Sequence, residues 1–174
     1  MRNTIALLLG GWLLGMLLLG GVASENFFII DHLLNSSSHP SFQKDVSILP
    51  SGEARIMLRY LSSEMNRFYF GVWGWIELIF GVLVLVFAVK GLGQRKFTIG
   101  FSIMLGVSAV MAFYITPKIT DVGRSLDFVP RQPVPPAMAQ FAVLHAAYSL
   151  LVLGKLLVGI WMAVALVRLP SRES

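Results

Sequence analysis

Residues 68–89 read FYFGVWGWIELIFGVLVLVFAV, an apolar run whose single charged member is Glu77. A helix needs about 20 mostly apolar residues to cross about 30 Å of hydrocarbon. Three further runs meet this criterion: 5–23, 97–116 and 141–167. The sequence therefore predicts an all-α fold, an integral membrane four-helix bundle that forms a single domain over residues 1–174, with an outer loop at 24–67.

Composition supports a membrane protein and excludes several other classes. The chain is 56% hydrophobic and 13% charged, against about 25% charged residues in ordinary soluble domains. It has no cysteine, which rules out disulfides and thiolate metal sites. The net charge of +5 is scattered rather than gathered into a basic stripe, so we expect a lipid bilayer and no nucleic acid as partner.

Positive charges predict the orientation of the helices. Lys and Arg near membrane ends favour the cytoplasmic side. The connection at residues 90–96, KGLGQRK, holds three such charges and no acid, and Arg2, Arg168 and Arg172 would lie on the same side. The other two connections balance acids with bases. We therefore expect both termini in the cytoplasm, with the protein integral to the cell or inner membrane.

The first apolar run has a second interpretation. Arg2, the apolar stretch and Gly-Val-Ala-Ser at 21–24 are typical of a secretory signal with a small-residue cleavage site. However, the run is longer than the 7–15 residues of a signal core, and Gly11 and Gly15 have the small-xxx-small spacing of packed membrane helices. A retained helix is favoured, and cleavage would leave the orientation of the rest unchanged.

The outer loop is predicted to have two halves. Residues 31–50 are expected to be irregular, and Asn35-Ser36-Ser37 fits either a turn or a glycosylation acceptor. From Ser51, a helix cap, we expect an outer amphipathic helix that continues into the second span. Its apolar stripe would contain Ala54, Leu58, Leu61, Met65 and Phe68.

Proline and small residues set expectations for the third and fourth spans. Pro117 is expected to end the third span, and Pro136 suits the first turn of the fourth. The third span offers three small packing positions, Ser102, Gly106 and Ala109. Its methionines, Met104 and Met111, are one heptad apart and are typical of gap-filling core residues.

Three ionisable residues fall inside predicted spans: Glu77, His145 and Lys155. At about 100° per residue, Glu77 shares one face with glycines that allow close helix contact. His145, Tyr148, Ser149 and Lys155 share one sector of the fourth span. We therefore predict an internal polar network of these five residues, in which Glu77 meets Lys155, Tyr148 or both.

Two interpretations of this network stay open. Ionisable groups inside a membrane often mark proton or ion pathways. The alternative is a satisfied structural pair, or a lysine that reaches alone to the interface. The structural interpretation is favoured because three such groups cannot form a chain across the bilayer.

The chain resembles a family of small four-helix membrane proteins of unknown function, related to the transmembrane protein linked to cisplatin resistance. The likeness rests on Trp12-x-x-Gly15 followed by Phe27-Phe28, on Pro117, and on Phe141-x-x-Leu144-His145 with Ser149. The chain departs from the family pattern after the histidine, at Tyr148 and Val152. The resemblance implies a four-helix membrane protein and no particular mechanism.

No motif in the sequence names a reaction. His32 and His39 near Asp31 do not match a metal-ligand spacing, so we expect no metal, no cofactor and no enzymatic activity. The favoured function is a structural or interaction component of a membrane assembly, with a membrane-protein partner or a homo-oligomer. The alternative is a small transporter or ion/proton-coupled permeability factor that uses Glu77, Lys155 and His145. A membrane enzyme or quinone-site subunit is a weaker third reading.

Overall fold

The computed structural model describes residues 1–35 and 39–169, and the regular structure within these ranges is entirely helical. The prediction of an all-α fold is confirmed. Ser36 and Ser37 of the predicted turn, and Arg172, lie outside the described residues. The elements in chain order are α1 (Arg2–Asn35), α2 (Pro40–Ile48), α3 (Glu53–Gly91), α4 (Arg95–Val110), a π-turn (Met111–Ile115), α5 (Thr116–Arg124) and α6 (Ala137–Val167).

Within the described residues, four helices are long and apolar enough to cross a membrane. They are α1, α3, the continuous stretch Arg95–Arg124 and α6, with 34, 39, 30 and 31 residues. At about 1.5 Å per residue each is about 45 to 58 Å long. Each is therefore longer than the roughly 30 Å of hydrocarbon that it has to cross.

The four long helices pack around one interior, which we call the four-helix core. Neighbouring contacts run from α1 to α3, from α3 to α4, from α4 to α6, and from α6 back to α1. Close approach depends on glycine, because a Cβ on Gly15 would lie 2.0 Å from the Trp73 ring. In this cyclic order α3 and α6 are opposite each other, as are α1 and α4.

The two ends of the four-helix core differ in charge. At one end, Arg2 donates a hydrogen bond of 2.9 Å from Nη1 to the Leu169 carbonyl oxygen, which brings the start of α1 beside the end of α6. We call this the basic end because five basic residues of the described chain lie there: Arg2, Lys90, Arg95, Lys96 and Arg168. The opposite end, called the loop end, holds α2 and the connection between α5 and α6.

The first connection is more helical than predicted. The expectation of an irregular segment at 31–50 is wrong at both sides, because α1 continues to Asn35 and α2 occupies Pro40–Ile48. Pro40 takes the first helical position, where its missing amide hydrogen is not needed. Helix α3 begins at Glu53 after Gly52, whose φ of 87° favours glycine, and no side-chain cap from Ser51 is present.

The predicted continuation of the outer helix into the second span is observed, but its buried face matches the predicted stripe only at Ala54. Leu61 is 56% exposed and Phe68 is 66% exposed, whereas Ser62 and Asn66 are buried. The reason is that α1 presents polar groups to this part of α3. Asn66 donates to the Ala23 carbonyl oxygen at 2.9 Å and accepts from the Asn26 amide at 2.7 Å. Hydrogen bonding therefore decides which face is buried here.

Pro117 does not end the third span as predicted. The helix continues through the π-turn Met111–Ile115 into α5, and the Thr116 amide donates to the Met111 carbonyl oxygen, five residues earlier. An α-helical turn would place the proline ring against the carbonyl group four residues before it. The wider turn takes up this conflict, so the helix passes the proline without stopping.

An ion-pair cluster holds the connection between α5 and α6 against α3. The Arg67 guanidinium is 2.8 Å from the Asp127 carboxylate and also pairs with Glu64. The Arg67 side chain is only 12% exposed. This cluster closes the loop end above the interior of the four-helix core.

Candidate functional site

Two charged side chains lie inside the four-helix core. Glu77 and Lys155 are each 2% exposed. Glu77 shares its face of α3 with the buried residues Gly81, Val84 and Ala88. Lys155 shares its face of α6 with Gly159, Met162 and Leu166. Both therefore occupy the stripe of their helix that packs against the neighbouring helices, and neither faces lipid.

Glu77 and Lys155 form a direct ion pair. Lys155 Nζ lies 2.7 Å from Oε1 and 2.7 Å from Oε2 of Glu77. Because α3 and α6 are opposite each other, the pair crosses the centre of the four-helix core. Hydrogen bonds between two charged groups are about twice as strong as those between neutral groups, so this contact connects two helices that otherwise touch little.

The two remaining helices each add one side chain to the pair. Trp12 of α1 donates from Nε1 to Glu77 Oε1 at 3.3 Å. Lys155 also donates to Ser108 Oγ of α4 at 3.1 Å. Trp12 and Ser108 are both fully buried. All four long helices therefore contribute one residue each to a single polar network, which we call the central network.

The central network lies at one level along the helices. Counting from the basic end, its members are about 10 to 14 residues into their helices, which corresponds to about 15 to 21 Å. Half of a hydrocarbon layer is about 15 Å thick. In a membrane that surrounds these helices, the ion pair would therefore lie near the middle of the bilayer.

The central network is internally satisfied. Each isolated charge would be costly at this depth, and the cost is offset only when geometry and additional hydrogen bonds are good. Among the residues that the structure describes, every buried side-chain nitrogen or oxygen has a hydrogen-bond partner. The arrangement is that of a closed polar cluster, with indole, hydroxyl, ammonium and carboxylate groups matched to one another.

The structure brings together two of the five residues of the predicted network, leaves His145 and Ser149 apart, and places Tyr148 on the Lys155 face of α6 without a hydrogen bond to the ion pair. His145 and Ser149 are exposed on α6, where Ser149 donates to the backbone of His145 and the imidazole stacks on Phe141. Tyr148 is half-buried and packs edge-on against Phe70, with ring centroids 5.3 Å apart. His145 and Ser149 lie about 80° and 120° around the helix from Lys155, and the buried sector is narrower than that.

Two members of the central network were not among the predicted site residues. The sequence draws attention to Trp12 only through the family resemblance, and the small packing positions predicted for the third span do not include Ser108. Ser102 and Gly106 are exposed, whereas Ser108 lies between the buried Met104 and Met111. The heptad of those methionines marks the buried face, and the serine within it was the available signal.

No known protein family, curated protein or solved structure with which the chain was compared matches it. The resemblance to the small four-helix family related to the cisplatin-resistance protein therefore stays a prediction.

Proposed function

We propose that this protein is a non-enzymatic integral membrane protein that serves as a structural or interaction component of a membrane assembly. One observation supports this above the others. An apolar face of α3 extends well past the length that a bilayer can cover. A surface of that kind needs a protein partner.

An apolar face runs along most of α3 and is interrupted by Glu64, which lies in the same sector and pairs with Arg67 and Arg124. At about 100° per residue its members fall within one sector, and each is at least 41% exposed. They are Met57, Leu61, Phe68, Val72, Trp75, Ile79, Val82 and Val86. From first to last this face is about 43 Å long. Hydrocarbon covers about 30 Å of it, which leaves the part around Met57 and Leu61 beyond the acyl chains.

Exposed apolar patches outside the hydrocarbon mark interaction sites. Because the uncovered part lies on the same side of α3 as the lipid-facing part, the partner that fits is another membrane protein with a helix running alongside α3. The central network supports a structural role for the chain itself, since it connects all four helices and leaves no buried polar group without a partner among the described residues. Such a core holds the α3 face in a fixed position.

Site-specific photo-crosslinking tests the proposal. A benzophenone amino acid at position 61 is expected to give a discrete adduct with a second membrane protein in native membranes. The same probe at Lys44, an exposed polar position on α2, serves as the matched control and should give no such adduct. Absence of any protein adduct at 61 would contradict the proposal. An adduct with a second copy of this chain alone would identify the assembly as a homo-oligomer.

A second candidate function is a small transporter or ion/proton-coupled permeability factor, and the ion pair near mid-membrane favours it. Purified protein in liposomes distinguishes the two. The transport reading requires a pH- or ion-dependent flux that Glu77→Gln abolishes while the protein stays folded. The structural reading requires no flux in the wild-type protein and a loss of stability in the same variant.

We further propose that the basic end faces the cytoplasm, with both termini on that side. The support is the concentration of Lys and Arg at that end, since positive charges near membrane ends stay on the cytoplasmic side. Reporter fusions test it. A fluorescent protein fused after residue 174 should fluoresce, and alkaline phosphatase at the same place should be inactive. The reverse pattern would overturn the orientation.

A further inference from the structure

A groove opens on the outside of the four-helix core at the basic end. It lies between the start of α4 and the end of α6 and has a volume of about 260 Å³. Its lining combines two basic side chains with apolar and aromatic ones: Lys96, Arg168, Trp161, Val164, Ala165 and Leu169. The groove has a charged rim and an apolar wall, which match the charged headgroup and the apolar acyl chains of a phospholipid.

The two basic side chains of the groove have no acidic partner within the described part of the chain. Every described acidic residue other than Glu77 lies toward the loop end, and Glu77 is paired with Lys155 in the interior. Lys96 lies 5.2 Å above the ring of Phe97, which orients its stem without neutralising its charge. Within the described residues the rim therefore carries uncompensated positive charge, which favours an anion.

The depth of the groove matches a phospholipid placed with its headgroup at the membrane surface. Arg168 follows Lys155 by 13 positions and Lys96 precedes Ser108 by 12, so both lie about 18 to 20 Å from the central network. That is just outside a half-layer of about 15 Å. Trp161 lies only about 9 Å from that level, beside the acyl chains, and is 55% exposed.

We propose that this groove binds the phosphate headgroup of an anionic phospholipid in the leaflet at the basic end. Lys96 and Arg168 hold the headgroup, and Trp161 with Val164 contacts the upper acyl chain. Basic pockets between membrane helices bind anionic headgroups in this way. The apolar wall selects a lipid over free phosphate, because phosphate alone leaves that wall without a ligand. The proposal needs the membrane location only and does not depend on the proposed role in an assembly.

Quenching of Trp161 by brominated lipid tests the proposal. The protein is placed in phosphatidylcholine bilayers, in a Trp75→Phe background that removes the other strongly exposed tryptophan. Brominated phosphatidylglycerol is then compared with brominated phosphatidylcholine as quencher. We expect half-maximal quenching at a much lower mole fraction of the anionic lipid. Equal quenching by both lipids would overturn the proposal. This test requires no substitution of a groove residue.

Charge-matched variants locate the site. Lys96→Gln with Arg168→Gln should raise the half-quenching mole fraction of brominated phosphatidylglycerol by roughly tenfold to thirtyfold. Lys90→Gln with Arg95→Gln removes the same charge from the same end, outside the groove, and should raise it by about threefold or less. Equal effects of the two pairs would overturn the proposal. Release of the lipid by excess glycerol phosphate would also overturn it, in favour of a site for soluble phosphate.

All four of these side chains are exposed, so the variants should fold. A single unfolding midpoint shared with the wild-type protein is the check on folding. If the groove pair unfolds early, the comparison of anionic and neutral lipid in the Trp75→Phe protein with an unchanged groove still decides the question.

Discussion

Lys155 Nζ lies 2.7 Å from both carboxylate oxygens of Glu77, although α6 and α3 are on opposite sides of the four-helix core. The lysine therefore makes a bidentate contact across the centre, while Trp12 and Ser108 complete the set from the other two helices. A contact of this kind fixes the relative height of four helices at once. Removing this contact should lower the free energy of unfolding, which can be measured without knowing the function.

The ion pair gives the first prediction. Glu77→Gln or Lys155→Met alone should lower the free energy of unfolding by about 3 to 5 kcal/mol, because each leaves one buried charge uncompensated. The double variant should recover much of this loss, since both charges are then absent. Chemical unfolding in mild detergent, followed by tryptophan fluorescence, measures the three values.

Glu25→Gln is the control for the loss of one carboxylate, because Glu25 is exposed on α1. It should change the stability by less than about 0.5 kcal/mol. A Glu77 variant as mild as this control would mean that the ion pair is absent in the folded protein.

The hydroxyl of Ser108 gives a second prediction. Ser108→Ala removes an acceptor from Lys155 in a fully buried position and should cost about 0.5 to 1.5 kcal/mol. Ser149→Ala is the matched change, since that hydroxyl is exposed and donates only to its own helix. Thermal unfolding of the two variants side by side makes the comparison. Indistinguishable midpoints would remove Ser108 from the central network.

Helix packing gives a third prediction, which depends on space alone. A Cβ at Gly15 would lie 2.0 Å from the Trp73 ring, whereas one at Gly20 would meet nothing within 4 Å. Gly15→Ala should therefore destabilise by about 1 to 3 kcal/mol through overpacking. Gly20→Ala should stabilise slightly, by up to about 1 kcal/mol, because alanine is the better helix former. Detergent unfolding that ranks the two variants in the opposite order would contradict the contact between α1 and α3.

The outer part of α3 gives a fourth prediction, on which face is buried. Asn66→Ala removes the bonds to Asn26 and to the Ala23 carbonyl group and should cost about 1 to 3 kcal/mol. Leu61→Ala on the exposed face should cost less than about 0.5 kcal/mol. If the apolar stripe predicted from the sequence were the buried one, the leucine change would instead cost about 2 to 5 kcal/mol.

The positions of the long helices could be predicted from apolar length, because hydrocarbon thickness fixes the minimum run. Their ends could not. Helix α1 continues past Ala23 to Asn35 and α3 begins at Glu53, since these stretches pack on each other outside the apolar runs. In these stretches the two helices are held together by hydrogen bonds among Asn26, Ser62 and Asn66. Such polar contacts do not appear in a hydropathy pattern.

Within the candidate site, the meeting of Glu77 with Lys155 could be predicted because both share a face with small residues that permit close packing. The prediction wrongly included His145 and Ser149, because a helical wheel gives the angle of each side chain but not the width of the sector that the neighbouring helices bury. Ser108 was missed for the opposite reason. The methionine heptad marks the face on which Ser108 is buried, but a single hydroxyl there does not indicate a polar partner until the lysine opposite it is known.

The π-turn at Met111–Ile115 determines where the third span could lose one residue without misaligning its side chains. A π-turn holds about one residue more than an α-turn, and Phe113 and Tyr114 within it are exposed. Deleting either one would turn the π-turn into an α-turn, and the residues before and after it would keep their relative orientation around the helix, with Ser108 still facing the interior. The deletion would also set the Pro117 ring against a carbonyl group. The same deletion inside α3 would rotate every later side chain by about 100°. Natural relatives that lack both the proline and one of these aromatic residues would therefore keep the same internal alignment.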